Sequence, residues 1–223
     1  MLNLPQISIV SVNCIDAIES VKAINYSRRN IDFGHAYLFT HEDIKAEGVE
    51  VIKIPRLLSV DQYNDFVLRL ADYNMEGEYF LIVQDDGYPI NSACWMAEFQ
   101  DFDFLGAPWP NDPTWVEKQK LKYYKNFVGN GGFSLRSKKF LQLSSVFTTC
   151  HGFGEDVYLC SVQYDYMIAN GIKFAPVELA EKFSRENNLE DWTNPGRHNP
   201  KSSFGFHGKN FENHLELINL KNG

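Results

Sequence analysis

The sequence contains few cysteines and no paired cysteine motif. Its 223 residues include four scattered cysteines, with no CxxC pair and no histidine at a spacing typical of zinc sites: Cys14, Cys94, Cys150 and Cys160. The pattern indicates neither a disulfide framework nor a structural zinc centre. We interpret the four cysteines as reduced thiols of a cytosolic protein.

Long apolar runs are also missing. No stretch approaches the ~18 consecutive apolar residues that a membrane-spanning helix requires. Residues 1–5 lack the basic segment and the apolar stretch of a signal peptide. We therefore expect a cytoplasmic protein without a transmembrane segment, one that can still lie peripherally at the inner face of a membrane.

An excess of positive charge is absent as well. The formal net charge of −8 argues against nucleic acid as the main partner, because nucleic-acid-binding proteins usually carry a basic footprint. A hydrophobic content of 44% and an aromatic content of 14% are sufficient for a buried core. The length favours one domain over residues 1–223, and the oligomeric state is left open.

The first 86 residues predict the order β-α-β-β-α-β, which is typical of an α/β fold with a mostly parallel sheet flanked by helices. The strands are expected at 6–12, 35–40, 49–54 and just before Gln84, and the helices at 17–29 and 59–73. The second half predicts short strands within 103–110 and after the glycine turn at 129–132, a helix from Lys138, a helix from 152 to about 170, and a strand at 173–177.

A pair of acids follows the most apolar of these strands. The run Phe80-Leu81-Ile82-Val83 ends in Gln84-Asp85-Asp86-Gly87. Ligands bind at the carboxyl ends of parallel strands, and a hard divalent cation needs only one or two protein carboxylates when phosphates fill its other positions. Asp86 is the better ligand candidate, because the following glycine lets a ligand approach the backbone. An ordinary Asp-Asp-Gly turn explains the same residues.

A second acidic pair, Glu155-Asp156, follows the glycines of Gly152-Phe153-Gly154 at a predicted helix start. One interpretation is that both are first-turn acids stabilised by the helix N-terminus. The other is that an aspartate beside a sugar hydroxyl acts as a general base. The residues alone leave both open.

Four further features suit the binding of a sugar, a phosphate or a metal, and each has an ordinary alternative. Asn130-Gly131-Gly132 allows close approach of a sugar or phosphate, or is a tight turn. His207 lies between glycines and suits a metal ligand, or is structural. Lys209 can bind phosphate oxygens, or is a surface charge. Trp109 can form an aromatic platform for a sugar ring, or is core material.

Taken in order, these motifs resemble those of the bacterial and viral glycosyltransferase-like domains long labelled as being of unknown function. That family is similar to the GT-A nucleotide-sugar transferases and distantly to the β-1,4-galactosyltransferases. The resemblance extends from about residue 6 to 210 and rests on six segments: Gln84-Asp85-Asp86-Gly87, Gly106-Ala107-Pro108-Trp109-Pro110, residues 129–137, Glu155-Asp156-Val157, Phe174-Ala175-Pro176-Val177 and Phe204-Gly205-Phe206-His207-Gly208.

The resemblance implies a GT-A-like (Rossmann-like) fold and an inverting, metal-dependent glycosyltransferase of the hexosyltransferase type, active in polysaccharide biosynthesis. Its donor would be a nucleoside diphosphate sugar, by family association a UDP-sugar, and its acceptor a hydroxyl group, as on a glycan. Residues 1–86 would form the nucleotide-binding half and residues 87–223 the acceptor and catalytic half.

The resemblance also implies roles for individual residues. Mn²⁺ or Mg²⁺ would be held by Asp86 and His207. Asp156 would be the general base, with Glu155 contacting the acceptor. The donor would contact a third set: Val12, Asn13, Gln84, Asp85, Trp109, Asn130, Gly131, Gly132 and Lys209.

One position departs from the family pattern, because Gln84 stands where the first acid of the Asp-x-Asp element is expected. A glutamine can hydrogen-bond a ribose hydroxyl or a metal-bound water, but it adds no charge. Two other functions stay open, the second of them because of Gln84. One is a metal-dependent phosphoesterase or nucleotide-sugar pyrophosphatase, and the other is a catalytically inactive carbohydrate-binding domain.

Overall fold

The computed structural model describes residues 1–110, 112–186 and 203–208, so Lys209 lies outside the described residues. Nine strands are present in these ranges: β1 Leu2–Val12, β2 Ile31–Thr40, β3 Glu50–Lys53, β4 Tyr79–Ile82, β5 Gly87–Pro89, β6 Phe104–Gly106, β7 Ser134–Ser137, β8 Ser184–Glu186 and β9 Gly205–His207. The α-helices there are α1 Ala17–Ser27, α2 Val60–Leu68, α3 Pro113–Lys118, α4 Lys138–Ser144, α5 Glu155–Val157, α6 Tyr164–Ala169 and α7 Val177–Phe183.

Six of the strands form one sheet in the order β3-β2-β1-β4-β7-β6. The first four are parallel to one another, whereas β7 is antiparallel to both of its neighbours. This arrangement confirms the predicted α/β class with a mostly parallel sheet. It also places the carboxyl ends of β1, β2, β3 and β4 at the same edge.

The sheet is buried on both faces because its strands alternate side chains between two apolar clusters. In β1, Val10 and Val12 belong to one cluster, and Ile7 and Ile9 to the other. The first cluster includes buried residues of α2 and α4, and the second those of α1 and α7.

Side-chain caps fix the starts of the first two helices. The Asp16 carboxylate accepts hydrogen bonds from the backbone N–H groups of Ile18 and Glu19, as the sequence predicts. The Ser59 hydroxyl accepts one from Gln62 N–H and begins α2. Both helices therefore start directly after loops at the carboxyl edge of the sheet.

A small second sheet, β5-β9-β8, crosses the same edge. Strand β9 is antiparallel to β5 and parallel to β8. It pairs His207 with Gly87 on one side and with Glu186 on the other. Three segments that are far apart in the chain thus meet next to the loop after β4.

Two predicted elements differ from the structure. Residues 173–177 were expected to form a strand, but they contribute only an isolated bridge between Phe104 and Phe174 before Pro176 begins α7. The helix expected from 152 to about 170 is divided into α5, a π-helical turn at Tyr158–Val162, and α6. Its first turn nevertheless begins at Glu155, after Gly154.

The four cysteines are all in the described ranges and form no disulfide. Burial raises the pKa of Cys160 well above its usual range, so this thiol stays protonated. Within the described residues, none of the helices combines the length and apolar character needed to cross a bilayer.

Candidate active site

A cleft of 510 Å³ opens at the carboxyl ends of β1 and β4. Its lining comes from the end of β1 with the following loop and α1, from the segment before α2 with the start of that helix, and from the loop after β4: Val12, Asn13, Cys14, Ile15, Ser20, Arg56, Leu57, Leu58, Ser59, Val60, Tyr63, Gln84 and Asp85. Ligands of open α/β sheets bind at this kind of position. The predicted donor residues Val12, Asn13, Gln84 and Asp85 all line the cleft.

The acidic tip of β4 is a tight, hydrogen-bonded turn. Gln84 and Gly87 exchange backbone hydrogen bonds of 2.9 and 3.1 Å, which fold Asp85 and Asp86 into the turn. The backbone oxygen of Asp86 accepts a further bond of 2.8 Å from Gly208 N–H. Backbone contacts on both sides therefore hold the position of Asp86.

His207 reaches this turn from β9. Its Nε2 atom lies 3.1 Å from Gln84 Oε1 and 3.6 Å from Asp86 Oδ1, and its Nδ1 atom lies 3.1 Å from Glu186 Oε1. Burial opposes the charged imidazolium, but the hydrogen bond and charge of Glu186, with the charge of Asp86, raise the pKa of His207 above its ordinary value.

These residues fit a cation that also binds phosphate. Asp86 and His207 supply one carboxylate and one imidazole, and the Gln84 amide oxygen lies beside them. In the described ranges there is no group of three or more His, Cys, Asp or Glu side chains that could hold a metal alone. The set therefore suits Mg²⁺ or Mn²⁺ only if a ligand completes the coordination.

Asp156 lies across the glycine pair from His207. Its Oδ2 atom accepts a hydrogen bond of 3.0 Å from Gly131 N–H, and its Oδ1 atom accepts one of 2.7 Å from Val157 N–H. Burial, followed by the negative charge of Glu155, raises the pKa of Asp156 to about 7. A carboxyl group with this pKa exchanges protons near neutral pH, as a general base must.

Glu155 faces the protein interior. It forms a buried, bidentate ion pair with Arg136, with distances of 2.8 Å to Nη2 and 3.3 Å to Nη1. Arg136 also donates to the carbonyl oxygen of Gly131 at 3.1 Å. The predicted contact of Glu155 with an acceptor stays a prediction, but in the structure both carboxylate oxygens contact Arg136, which supports the glycine turn.

The glycine pair is where these elements come closest together. A Cβ atom on Gly132 would overlap the His207 ring, and one on Gly131 would lie 2.5 Å from Glu155 Oε1 and 2.9 Å from the Asp156 Cβ. Asn130 is buried, and its side-chain oxygen accepts a hydrogen bond from Gly132 N–H at 3.2 Å. The three predicted residues therefore form a turn that separates Asp156 from His207.

Trp109 occupies a different environment from the one predicted. The ring is 6% exposed, stacks on Tyr124 at 4.9 Å and packs tightly against Gly129. A sugar platform requires an exposed ring face, so we assign Trp109 to the core beneath the glycine turn. Lys209 lies outside the described residues, and the prediction for it is untested.

Three site residues escaped the sequence analysis. Arg56 contributes an exposed guanidinium to the cleft. Its place in the sequence could have predicted this, because it is a basic residue that follows Pro55 just beyond β3. Tyr63 accepts a 2.8 Å hydrogen bond from Gln84 Nε2, and burial raises the pKa of Tyr63 to about 12, so it stays a phenol. Glu186 had no sequence signal, because only the pairing of β8 with β9 brings it to His207.

Comparison with solved structures identifies the fold as GT-A-like. A glycosyltransferase involved in glycosylation of the major capsid of PBCV-1 matches with a TM-score of 0.51 and 10% identity, covering 97% of each chain. The galactosyltransferase LgtC, in complex with donor and acceptor sugar analogues, matches with a TM-score of 0.50 and 11% identity over 96% of this chain and 95% of LgtC. At these identities the likeness concerns the fold.

Residues 48–207 match the family described as "Protein of unknown function (DUF5672)", and the chain belongs to that family. An active-site mutant of LgtC also matches, with a TM-score of 0.52 and 12% identity over 96% of this chain and 94% of the mutant. A comparison of the sequence with curated proteins finds no match.

Proposed function

We propose that this protein is an inverting, metal-dependent glycosyltransferase that moves a sugar from a nucleoside diphosphate donor, by family association a UDP-sugar, to a hydroxyl group of an acceptor such as a glycan. One observation carries the proposal: Asp86 and His207 lie on one side of the Gly131-Gly132 turn and Asp156 lies on the other, and Asp86 directly follows Gln84 and Asp85 of the cleft lining. The GT-A-like fold of the solved glycosyltransferases supports it.

The cleft is assigned to the nucleotide part of the donor. Its lining falls within residues 12–85, which agrees with residues 1–86 being the nucleotide-binding half. Arg56 can donate charge-assisted hydrogen bonds to phosphate oxygens. Asn13 is held in place by its own bonds, since its side-chain oxygen accepts from the N–H groups of Ile15 and Asp16.

Asp86 and His207 would hold Mn²⁺ or Mg²⁺, with the side-chain amide of Gln84 beside them. When bound, the cation stabilises negative charge on the departing nucleoside diphosphate. Gln84 and Asp85 both line the cleft, and in the described structure it is Asp86, not Asp85, that lies near His207. We therefore assign Asp85 to donor contacts.

Asp156 is assigned as the general base. Its pKa of about 7 leaves a substantial fraction ionised at neutral pH while keeping the carboxylate basic enough to accept a hydroxyl proton. Arg136 and Glu155 fix the carbonyl of Gly131, whose N–H in turn orients Asp156. Attack by the acceptor from the face opposite the leaving group gives inversion at the anomeric carbon.

The test is a panel of nucleotide sugars with Mn²⁺ and a set of sugar acceptors, scored for release of nucleoside diphosphate. We expect acceptor-dependent release that Asp156→Asn abolishes, while donor binding by calorimetry stays within a few-fold. Asp165→Asn, in an exposed aspartate paired with Lys125, is the matched control and should turn over normally. The anomeric configuration of the product, read by NMR, should be inverted.

Other outcomes would identify the alternatives. Release of phosphate or nucleoside monophosphate without an acceptor would indicate a phosphoesterase or pyrophosphatase, and binding without turnover would indicate a carbohydrate-binding domain. Full activity of Asp156→Asn would remove this residue from the mechanism. Retention of configuration would overturn the single-displacement assignment.

A further inference from the structure

Glu186 occupies a position that the proposed reaction does not require directly. It is the last residue of β8, and the parallel pairing of β8 with β9 places it beside His207. The two side chains meet through Glu186 Oε1 and His207 Nδ1 at 3.1 Å, with side-chain exposures of 15% and 16%. Glu186 therefore contacts the ring nitrogen that faces away from Asp86.

The fold alone gives little reason for an acid at this position. A largely buried carboxylate is costly unless it is paired, and the usual partners are Arg and Lys. In residues 1–110, 112–186 and 203–208, the partner found for the Glu186 side chain is His207. Its charge also contributes to raising the pKa of Asp156, an unfavourable effect between like charges.

The contact with Glu186 favours Nδ1 as the nitrogen that carries the hydrogen in the neutral imidazole. A carboxylate only accepts hydrogen bonds, so Nδ1 must carry its hydrogen toward Glu186. The unprotonated Nε2 then points toward Gln84 and Asp86. Metal-binding histidines are commonly oriented in this way by a carboxylate on the second ring nitrogen.

Gln84 is compatible with this tautomer. Its amide lies between His207 Nε2 at 3.1 Å and the Tyr63 hydroxyl at 2.8 Å. Rotation of the amide by half a turn lets its NH₂ group donate to Nε2 while its oxygen accepts from the phenol. The same three side chains therefore stay hydrogen-bonded when Nε2 carries no hydrogen.

We propose that Glu186 is a positioning residue that holds His207 in the tautomer protonated at Nδ1 and so presents Nε2 to the divalent cation beside Asp86. This inference rests on the proposed function, because it takes Asp86 and His207 as the cation ligands. In this role Glu186 acts through His207 and not by direct contact with the cation or the substrate.

The first measurement is Mn²⁺ affinity, by titration followed with electron paramagnetic resonance. Glu186→Leu removes the acceptor and should weaken Mn²⁺ binding by roughly 10- to 100-fold, the range found for such partners. Glu186→Gln keeps an oxygen that can accept from Nδ1–H and should lose less than Glu186→Leu does. Glu19→Leu, in an exposed glutamate paired with Lys22, is the control and should bind Mn²⁺ like the wild type.

The second measurement reads the tautomer in metal-free protein through ¹⁵N–¹H correlations of the His207 ring. We expect Nδ1–H in the neutral ring of the wild type and of Glu186→Gln, and a shift toward Nε2–H in Glu186→Leu. This readout stays usable when a variant binds no Mn²⁺, and thermal denaturation reports whether each variant is folded.

Two results would overturn the inference in different ways. If the wild type binds Mn²⁺ and a folded Glu186→Leu binds it equally well with an unchanged tautomer, the inference fails and the proposed function stands. If the wild type binds no Mn²⁺ with or without nucleoside diphosphate, the metal part of the proposed function fails and this inference fails with it.

Discussion

At the scale of single residues, the surroundings of Asp156 set the pKa of its carboxyl group. Its carboxylate is stabilised by the N–H groups of Gly131 and Val157, yet burial and the charge of Glu155 outweigh them and bring its pKa to about 7. In the proposed mechanism the ionised form of Asp156 is the base, so kcat/KM should rise about tenfold per pH unit below 7 and level off above it. A pH–rate profile checks this. The control Asp165→Asn should show the same rise of kcat/KM with pH as the wild type.

The same pKa predicts a pH-dependent effect on stability. The Asp156 carboxyl ionises near 3.8 when unperturbed and near 7 in the folded protein, so folding takes up a proton between these values and stability falls as pH rises through this window. Asp156→Asn removes the titration. The difference in free energy of unfolding between Asp156→Asn and wild type should therefore shift in favour of the variant as pH rises from 5 to 8.5. The expected shift is on the order of 2 kcal/mol.

Urea denaturation at the two pH values measures this change. Asp165→Asn, the same substitution at an exposed position, is measured alongside as the control. Equal pH dependence in Asp156→Asn and wild type would mean that Asp156 does not titrate in this window.

At the scale of elements, the site depends on how closely the glycine turn approaches β9. In Gly132→Ala the new methyl group overlaps the His207 ring, which must then move away from Asp86. We expect Mn²⁺ affinity to fall by roughly tenfold or more. Titration with Mn²⁺ measures the effect.

Gly34→Ala is the matched control for that steric change. Its methyl group would overlap the carbonyl oxygen of Pro5 where β1 meets β2, remote from the carboxyl ends of the strands. It should lower the melting temperature and leave Mn²⁺ affinity unchanged. Loss of affinity in both variants would indicate general destabilisation instead of displacement of His207.

The buried ion pair between β7 and α5 gives a second element-scale prediction. Arg136 and Glu155 are 1% and 6% exposed at their side chains, so removal of one partner leaves an uncompensated buried charge. Glu155→Leu should lower the free energy of unfolding by about 3–5 kcal/mol, and Arg136→Met/Glu155→Leu should recover much of that loss. Chemical denaturation of the two single variants and the double variant measures the coupling, and additive effects would contradict it.

The sequence predicted the first half of the fold well because its signals are local. Residues 6–12, 35–40 and 49–54 carry apolar, β-branched runs between clear turns, and Asp16 and Ser59 are recognisable caps. Strands β8 and β9 have three residues each, too few for a periodic pattern, and form through pairing with distant segments. The apolar run at 173–177 packs as a connection into α7, since Pro176 favours a helix start.

The residues of the candidate site could be named from the sequence to a similar extent and for the same reason. The motifs at 84–87, 130–132 and 155–156 are contiguous, so their residues could be named before their contacts were known. Contacts between residues far apart in the chain could not be predicted in this way. These are the contacts of Glu186 with His207, of Tyr63 with Gln84 and of Arg136 with Glu155. Trp109 could be named from the sequence but not assigned a role. A tryptophan suits both a sugar platform and a core, and its packing in the structure distinguishes the two.

At the scale of the whole molecule, a net charge of −8 is unfavourable for an anionic donor. Local cations in the cleft must therefore supply the attraction, and Arg56 is the basic residue in its lining. Arg56→Ala should weaken nucleoside diphosphate binding by roughly tenfold, the scale of a charged hydrogen bond. Calorimetry with Mn²⁺ present measures the change.

Arg69→Ala tests whether position matters more than overall charge. Arg69 pairs with Asp72 outside the cleft, so this variant alters the net charge equally without touching the lining. It should bind the donor like wild type. Equal losses in both variants would attribute the effect to overall charge.

The small sheet has a consequence for the order in which the protein acquires its properties during synthesis. Strand β9 lies between β5 and β8, so this sheet and the contacts of His207 cannot form until the ribosome has released residue 207. The four parallel strands lie within the first 82 residues, so the ribosome releases them long before β9. A nascent chain would thus lack the proposed cation site, and with it the proposed metal-dependent activity, until its last described strand is in place.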